Sequence, residues 1–147
     1  MDTLLPPLIR ALLDPARYPD RPDRVELLQT HGAWVLLAGR SAYKIKKPVR
    51  LSFMDFSTLA LRQTACQAEL RVNRRFTADR PAQQLYTEVL PIVGTPDAPR
   101  WGQPGRDDGQ AIEFAVHMRR FDEAGRLDHV CQRGELQAQH LVQLAQR

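Results

Sequence analysis

The chain has 147 residues, of which 43% are hydrophobic and 26% are charged, the composition of an ordinary folded domain. Its net charge of +4, spread over scattered arginines, permits a phosphate-bearing partner without identifying one. The longest strongly apolar run, AWVLLA, is far too short to cross a bilayer, so the sequence predicts no membrane span. The length suits one compact domain or one lobe of a larger protein.

The cysteines and the first residues bear on the cellular compartment. Cys66 and Cys131 have neither CxxC spacing nor a paired histidine cluster, which argues against a structural zinc site and against a disulfide framework. The first residues carry an acid at Asp2 and prolines at Pro6 and Pro7, so we expect no signal peptide there. Together these features predict a cytoplasmic protein.

The first half of the chain predicts one short helix and three strands. The segment LLPPLIRALLDPARYPD has prolines that suit a first helical turn and later prolines that end the helix. Residues that favour β-structure then predict strands over Val25–Thr30, Ala33–Ala38 and Ser41–Lys46. A tight AGRS turn joins the second strand to the third, and Pro48 ends the third.

The second half predicts one long helix and further strands. From Thr58 to about Ala78 apolar residues recur every three or four positions, and Ser57 or Thr58 can cap this helix. The segments LYTEVLPIVGTPDAPRW and AIEFAVHMRRF predict a strand with a short return strand, and then a final strand. Helical pieces follow, with a break at Gly134. The apolar stripe expected to pack against the sheet is Leu61, Ala65, Ala68, Val72 and Phe76.

This order of elements predicts an α+β fold. Short turns between successive strands mean antiparallel pairing. We therefore expect a curved antiparallel sheet of about five strands, one long helix packed across it, and short helices at the amino and carboxyl ends.

A cluster of three lysines, Lys44, Lys46 and Lys47, lies within four positions of the third strand and its end. Alternate residues of a strand share a face, so Ala42, Lys44 and Lys46 point one way. The small side chain of Ala42 leaves room for a flat ring, and an ammonium beyond it suits phosphate oxygens. The alternative interpretation is a solvated edge strand, where lysines discourage aggregation.

Glu69 is the only acid of the predicted long helix. None of the residues three or four positions away from it is basic, so it has no salt bridge within the helix. An acid near the packed face without a local partner needs a distant cation, which Lys44 or Lys46 could supply. The alternative is a partly exposed helix acid.

As a set, these elements resemble a kinase amino-terminal lobe of the aminoglycoside phosphotransferase-like branch of the protein-kinase-like fold. More closely, the chain resembles the start of bacterial proteins that join such a region to a P-loop ATPase or sugar-kinase-like half. The resemblance covers most of the chain from about Val25 onward. The matching segments are ELLQTHGAWVLLAGRSAYKIKKPVRLSFMDFSTL, CQAELRVNRRF, EVLPIVGTPDAPR and EFAVHMRRF.

The resemblance implies a division of the chain and a ligand. Residues 1–22 would be an amino-terminal helical segment, 23–121 a kinase-like N-lobe, and 122–147 a helical tail that starts a C-lobe missing from this chain. The ligand would be ATP or another nucleoside triphosphate with Mg²⁺, and the partners would be that nucleotide and a C-terminal lobe of the same longer protein.

The resemblance also implies roles for individual residues. Lys44 would contact the α and β phosphates, with Lys46 as the alternative, and Glu69 would orient the lysine. HMRRF would be the hinge whose backbone meets the adenine edge, and AGRS would be the turn that covers the phosphates. The residues predicted to bind nucleotide are Ala42, Lys44, Lys46, Glu69, Met118, Arg119 and Phe121.

The sequence also lacks motifs that phosphoryl transfer requires. It contains no HGD or HRD followed by a metal-binding asparagine, no DFG-like acid on a strand and no GxxxxGK[ST]. We therefore identify no catalytic residue and no metal ligand, and expect a fragment or a degenerate lobe that does not catalyse alone. The final helix has no cap, which favours a fragment.

Two alternatives remain at this stage. One is a small basic α+β module without enzyme activity that binds nucleic acid or a protein partner, although the basic and aromatic RRF repeats lack an RNP-type motif, which makes nucleic acid the weaker expectation. The other is a lobe that keeps the fold and has lost its ligand. The four histidines are too spread for a metal site, and no Ser–His–Asp arrangement is evident because GxSxG is absent.

Overall fold

Residues 5–146, which the computed structural model describes, form eight strands and four helices. Short 3₁₀ turns connect several of them. The helices are α1 (Pro7–Ala11), α2 (Leu59–Arg74), α3 (Leu127–Gln132) and α4 (Ala138–Ala145). The strands are β1 (Val25–Gln29), β2 (Ala33–Ala38), β3 (Ser41–Lys46), β4 (Arg50–Leu51), β5 (Met54–Asp55), β6 (Tyr86–Thr95), β7 (Ala98–Trp101) and β8 (Glu113–Arg119).

Six of the strands form one curled antiparallel sheet in the order β1-β2-β3-β8-β6-β7. β4 and β5 form a separate two-stranded hairpin between β3 and α2. The predicted α+β fold, with a curved antiparallel sheet and one long helix across it, is confirmed. The sheet has six strands rather than about five, and the β4–β5 hairpin was not predicted, because RLSFMD lacks the alternation that marks a strand.

The amino-terminal segment and one face of the sheet build the larger apolar cluster. Ile9, Leu12 and Tyr18 are at most 2% exposed and pack with buried side chains of β2 and β3, among them Leu36 and Ile45. The Tyr18 hydroxyl donates to the Leu12 carbonyl oxygen at 2.7 Å, which satisfies its polar end inside the cluster. The described part of the predicted 1–22 segment therefore shares the core of the sheet. Residues 1–4 and 147 lie outside the described residues.

Helix α2 covers part of the opposite face. The Thr58 hydroxyl accepts from the Leu61 amide at 3.2 Å and caps the helix start, as predicted. Cys66 then packs with Phe114 and Val116 of β8 in a second, smaller cluster of buried side chains. This cluster fixes α2 over β8 and β6 and leaves the β1–β3 part of the same face for other contacts.

The predicted packing face of α2 was wrong. Leu61 and Val72 are each 40% exposed, and Phe76, in the 3₁₀ turn that follows the helix, is 62% exposed. The buried residues of the helix are Arg62 and Cys66. Charged side chains that pair with residues of the sheet occupy the side of α2 that faces the sheet. Apolar periodicity alone therefore predicted the wrong side of the helix.

The last helices are separated by Gly134, which has a φ of +71° and ends the first of them, as the sequence predicted. Three apolar side chains of α4 are more than half exposed: Leu141, Val142 and Leu144. None of the helices within residues 5–146 combines the length and apolarity that crossing a bilayer requires.

Candidate functional site

A cavity of about 320 Å³ opens on the α2 side of the sheet, against residues of β1, β2 and β3. Strand pairing places its walls, because Val35 is opposite Lys44 and Leu37 is opposite Ala42, and paired residues share a face. Five of the seven predicted nucleotide-binding residues line this cavity: Ala42, Lys44, Met118, Arg119 and Phe121. Most of the remaining lining is apolar or aromatic: Leu28, Val35, Leu37, Leu85 and Tyr86.

The other two predicted residues, Lys46 and Glu69, lie behind Lys44. The Lys44 ammonium is 2.8 Å from Glu69 Oε1, and the Lys46 ammonium is 2.6 Å from Glu69 Oε2. The predicted pairing of Glu69 with a lysine of the third strand is therefore present, and it involves both candidates. The Lys44 side chain is 30% exposed at the cavity wall, whereas that of Lys46 is only 7% exposed.

The charge of Glu69 is maintained by these lysines. Burial by itself raises the pKa of a carboxyl group, but the hydrogen bonds and charges of Lys44 and Lys46 outweigh it and hold the pKa of Glu69 below its ordinary value. Tyr86 shows the opposite balance, since burial and the nearby Glu69 charge raise its pKa. Glu69 is therefore an ionised acceptor at neutral pH.

A second ion pair supports Lys46 from behind and was not singled out in the sequence. Arg62 of α2 donates through Nε to both oxygens of Glu113 in β8 at 2.9 Å, and its Nη1 donates to the Phe56 carbonyl oxygen at 2.8 Å. The Phe56 ring lies 5.0 Å from the Lys46 ammonium. Residues 62 and 113 are 51 positions apart, so no local pattern could pair them.

Two backbone amides of the predicted hinge already donate hydrogen bonds within the protein. The Arg119 amide donates to the Leu85 carbonyl oxygen at 2.8 Å, and the Arg120 amide donates to the Arg40 carbonyl oxygen at 2.9 Å. The Arg119 side chain also donates to the Gln84 carbonyl oxygen at 2.9 Å. Phe121 follows these bonds beyond the end of β8, so the backbone from Phe121 onward is better placed to meet a ligand edge than that of Arg119 or Arg120.

The AGRS turn, which was predicted to cover the phosphates, lies at the opposite end of β3 from Lys46, beside Arg120. Gly39 has a φ of +57°, and a Cβ there would lie 2.8 Å from Asp20 Oδ2. The turn between β1 and β2 is the one at the lysine end, since the Lys47 amide donates to the Gly32 carbonyl oxygen at 2.8 Å.

A third polar cluster lies on the other face of the sheet. Ser41 Oγ is 3.0 Å from His117 Nε2, and His117 Nδ1 is 3.3 Å from Glu88 Oε1, although the sequence suggested no such arrangement. This order of contacts matches a hydrolase triad, but acyl transfer also requires donors aimed at an oxyanion and space at the nucleophile. Here the His117 ring stacks on Tyr43 at 4.7 Å, and we interpret the cluster as a cross-strand contact of β3, β8 and β6.

The described residues do not fit a magnesium site. Among residues 5–146 no group of three or more histidine, cysteine, aspartate or glutamate side chains is placed to hold a metal ion. The described residues that line the cavity include no acid, and both oxygens of Glu69 already bind lysines. The donor set therefore suits an anion rather than a cation.

Comparison with known proteins gives a partial match. Uncharacterized proteins of Mycobacterium bovis and Mycobacterium tuberculosis are 44% identical to this chain over 54 residues. That stretch is 37% of this chain and 11% of each relative, so the match spans about a tenth of the length of these curated relatives. No family model matches the chain, and no solved structure matches it.

Proposed function

We propose that this chain is the nucleotide-binding amino-terminal lobe of an aminoglycoside phosphotransferase-like kinase. The observation that carries the proposal is the position of Lys44. Its ammonium lies at the wall of an apolar cavity, 2.8 Å from an ionised glutamate on the one long helix. A strand lysine paired with a helix glutamate beside a slot for a flat ring is the arrangement that holds a triphosphate in kinases.

ATP or another nucleoside triphosphate requires an apolar surface for its base and a positive charge for its phosphates, and the cavity offers both. A base would contact the apolar walls, which include Ala42, Leu37 and Met118. The phosphates would be drawn to Lys44, because the Lys44–Lys46–Glu69 group carries one net positive charge when all three are ionised. Phe121 and the backbone beyond it would meet the edge of the base.

These residues bind and orient a nucleotide, and they do not complete phosphoryl transfer. That reaction also needs carboxylates for a metal ion and a group that receives or orients the nucleophile. Neither is supplied by the cavity lining, which contains no acid among its described residues. We place those groups, the Mg²⁺ that accompanies the nucleotide and the phosphate acceptor in a C-terminal lobe of a longer, cytoplasmic protein.

A basic module that binds nucleic acid is less well supported. Several arginines that could face a phosphate backbone are used inside the fold. Arg17 donates to the Pro99 carbonyl oxygen, Arg74 to that of Tyr86, and Arg119 to that of Gln84. Arg62 is buried against Glu113. These guanidinium groups therefore have fewer N–H donors left for a phosphate backbone.

Equilibrium binding of Mg·ATP to the full chain tests the proposal. Lys44→Met should weaken binding roughly ten- to a hundredfold, because a hydrogen bond to a charged group is lost without replacement. Lys47→Met is the matched control, since Lys47 follows β3 directly and its ammonium lies 5.4 Å from the Trp34 ring on the other face of the sheet. This variant should bind as the parent chain does.

Two outcomes would contradict the proposal. If the parent chain does not bind ATP or another nucleoside triphosphate, the cavity is not a nucleotide site. The chain would then keep the fold of the lobe without binding a nucleotide. If the chain instead binds a single-stranded oligonucleotide with an affinity that falls steeply with salt, and Lys44→Met has no effect, the basic-module alternative holds.

A further inference from the structure

Two ammonium groups share one carboxylate in this site, and their surroundings differ. Lys46 bonds Glu69 Oε2 at 2.6 Å with a side chain that is 7% exposed. Lys44 bonds Glu69 Oε1 at 2.8 Å with a side chain that is 30% exposed. Lys44 lines the cavity, and Lys46 is not among its lining residues. The two lysines, of which the sequence favours Lys44 and keeps Lys46 as the alternative, therefore cannot have the same role.

Lys46 is fixed on the side away from the cavity. Its ammonium is 5.0 Å from the Phe56 ring, and the Phe56 carbonyl oxygen accepts from Arg62. Arg62 is in turn held by both oxygens of Glu113, with side chains that are 10% and 9% exposed. A continuous set of contacts therefore runs from Glu113 of β8 through Arg62 and Phe56 to Lys46. The side chains of Glu113, Arg62 and Lys46 are at most 10% exposed.

The second lysine lowers the energetic cost of moving the Lys44 ammonium from Glu69 to an anion. With a single lysine, turning that ammonium toward a phosphate would leave a buried carboxylate without a partner, which is costly. With Lys46 in place, Glu69 keeps a 2.6 Å ion pair while Lys44 moves. The group also keeps one net positive charge, instead of the zero charge of a simple lysine–glutamate pair.

We infer that Lys46 is a positioning residue: it is the permanent counter-ion of Glu69 and releases Lys44 to serve as the phosphate ligand. This inference rests on the proposed function, and it assigns separate roles to two lysines of one strand face. It follows that Lys46 acts through Glu69 and does not itself contact the phosphate.

A charge-restoring pair of variants tests this role by Mg·ATP binding to the full chain. Lys46→Met should weaken binding on the order of tenfold, because Glu69 then neutralises and retains Lys44. Adding Glu69→Gln to Lys46→Met restores the single positive charge and should return the affinity to within a few-fold of the parent chain. If the double variant binds as weakly as Lys46→Met, restoring the single positive charge does not restore binding, and the inference is overturned.

A second measurement does not depend on nucleotide binding. In double-mutant cycles of urea unfolding, the coupling of Lys46→Met with Glu69→Gln should exceed the coupling of Lys44→Met with Glu69→Gln. Equal couplings would overturn the division of roles even if ATP binds. If the parent chain binds no nucleotide, the proposed function fails, while a larger Lys46 coupling would still establish Lys46 as the main counter-ion of Glu69.

Discussion

On the face of the sheet that α1 covers, the contacts are apolar apart from the Ser41–His117–Glu88 cluster, and Ile9, Leu12, Leu36 and Ile45 are each at most 1% exposed. On the face that α2 covers, Cys66 lies among a few apolar neighbours, and charged groups make the other links. Those links are the Arg62–Glu113 pair, the two lysines on Glu69, and Arg74, which donates to carbonyl oxygens of Tyr86 and Thr87.

This difference shows that one small sheet can have a face whose contacts an ion does not alter and a face whose contacts an ion can alter. Apolar burial is non-directional and does not change when an ion arrives. An ion pair responds to a new anion, because the anion competes directly for the cation. The cavity that we propose as the nucleotide site lies on the α2 side, where the contacts can be exchanged, while the α1 side holds β2 and β3 in place.

The largest expected loss of stability comes from breaking the buried ion pair on the α2 side. Arg62→Met should lower the free energy of unfolding by about 3–5 kcal/mol, because it leaves the Glu113 carboxylate buried without a partner. Urea unfolding measures this change. The double variant Arg62→Met/Glu113→Met should lose much less, since it buries no unpaired charge, and a double variant as unstable as the single one would contradict the argument.

An equally buried apolar residue on the other face should affect stability without affecting the ligand. Leu36→Ala should lower the free energy of unfolding by about 2–5 kcal/mol through the cavity it creates. Below its unfolding transition, the variant should bind Mg·ATP as the parent chain does, because Leu36 faces away from the cavity lining. A weakened affinity in the folded variant would mean that the two faces are not independent.

A smaller effect should appear as a pH dependence confined to the α2 face. The pKa of Glu69 lies below its ordinary 4.5 in the folded chain, so the unfolded chain binds more protons in the range beneath that value. The stability contributed by the Glu69 charge is therefore complete above about pH 4.5 and is lost as the pH falls through the folded pKa. The stability difference between the parent chain and Glu69→Gln should shrink below pH 4.5, and a difference that stays constant down to pH 3 would contradict the assignment.

The smallest effect is expected at the tip of the β4–β5 hairpin, which belongs to neither face. Phe53 is 82% exposed, so Phe53→Ala should change the free energy of unfolding by no more than about 0.5 kcal/mol. The same urea titration provides the measurement. A loss comparable to that of Leu36→Ala would show that the hairpin tip packs against the fold in solution.

The sequence predicted best where local chemistry decides the structure. β2 and β3 have the predicted bounds, because β-forming runs are bounded there by a glycine turn and a proline. The pairing of Glu69 with the lysine strand followed from the absence of any basic residue three or four positions away in its own helix. Arg62 and Glu113 were missed because each is unremarkable in its own segment and they meet only after α2 docks on β8. The same burial of charge explains why Val72 and Phe76 lie on the outer side.

The position of β8 at the centre of the sheet has a consequence for biosynthesis. β8 pairs with β3 through residues 41–45 and 115–119, and it also carries β6 and the docking site of α2. The amino-terminal hairpins therefore emerge from the ribosome well before the strand that joins them to the rest. At typical elongation rates the interval is roughly 4–15 s. During this time the unpaired edge of β3 must be protected from pairing with other chains. Slow translation or a shortage of chaperones would therefore reduce the yield of folded chain before it affected chains that have already folded.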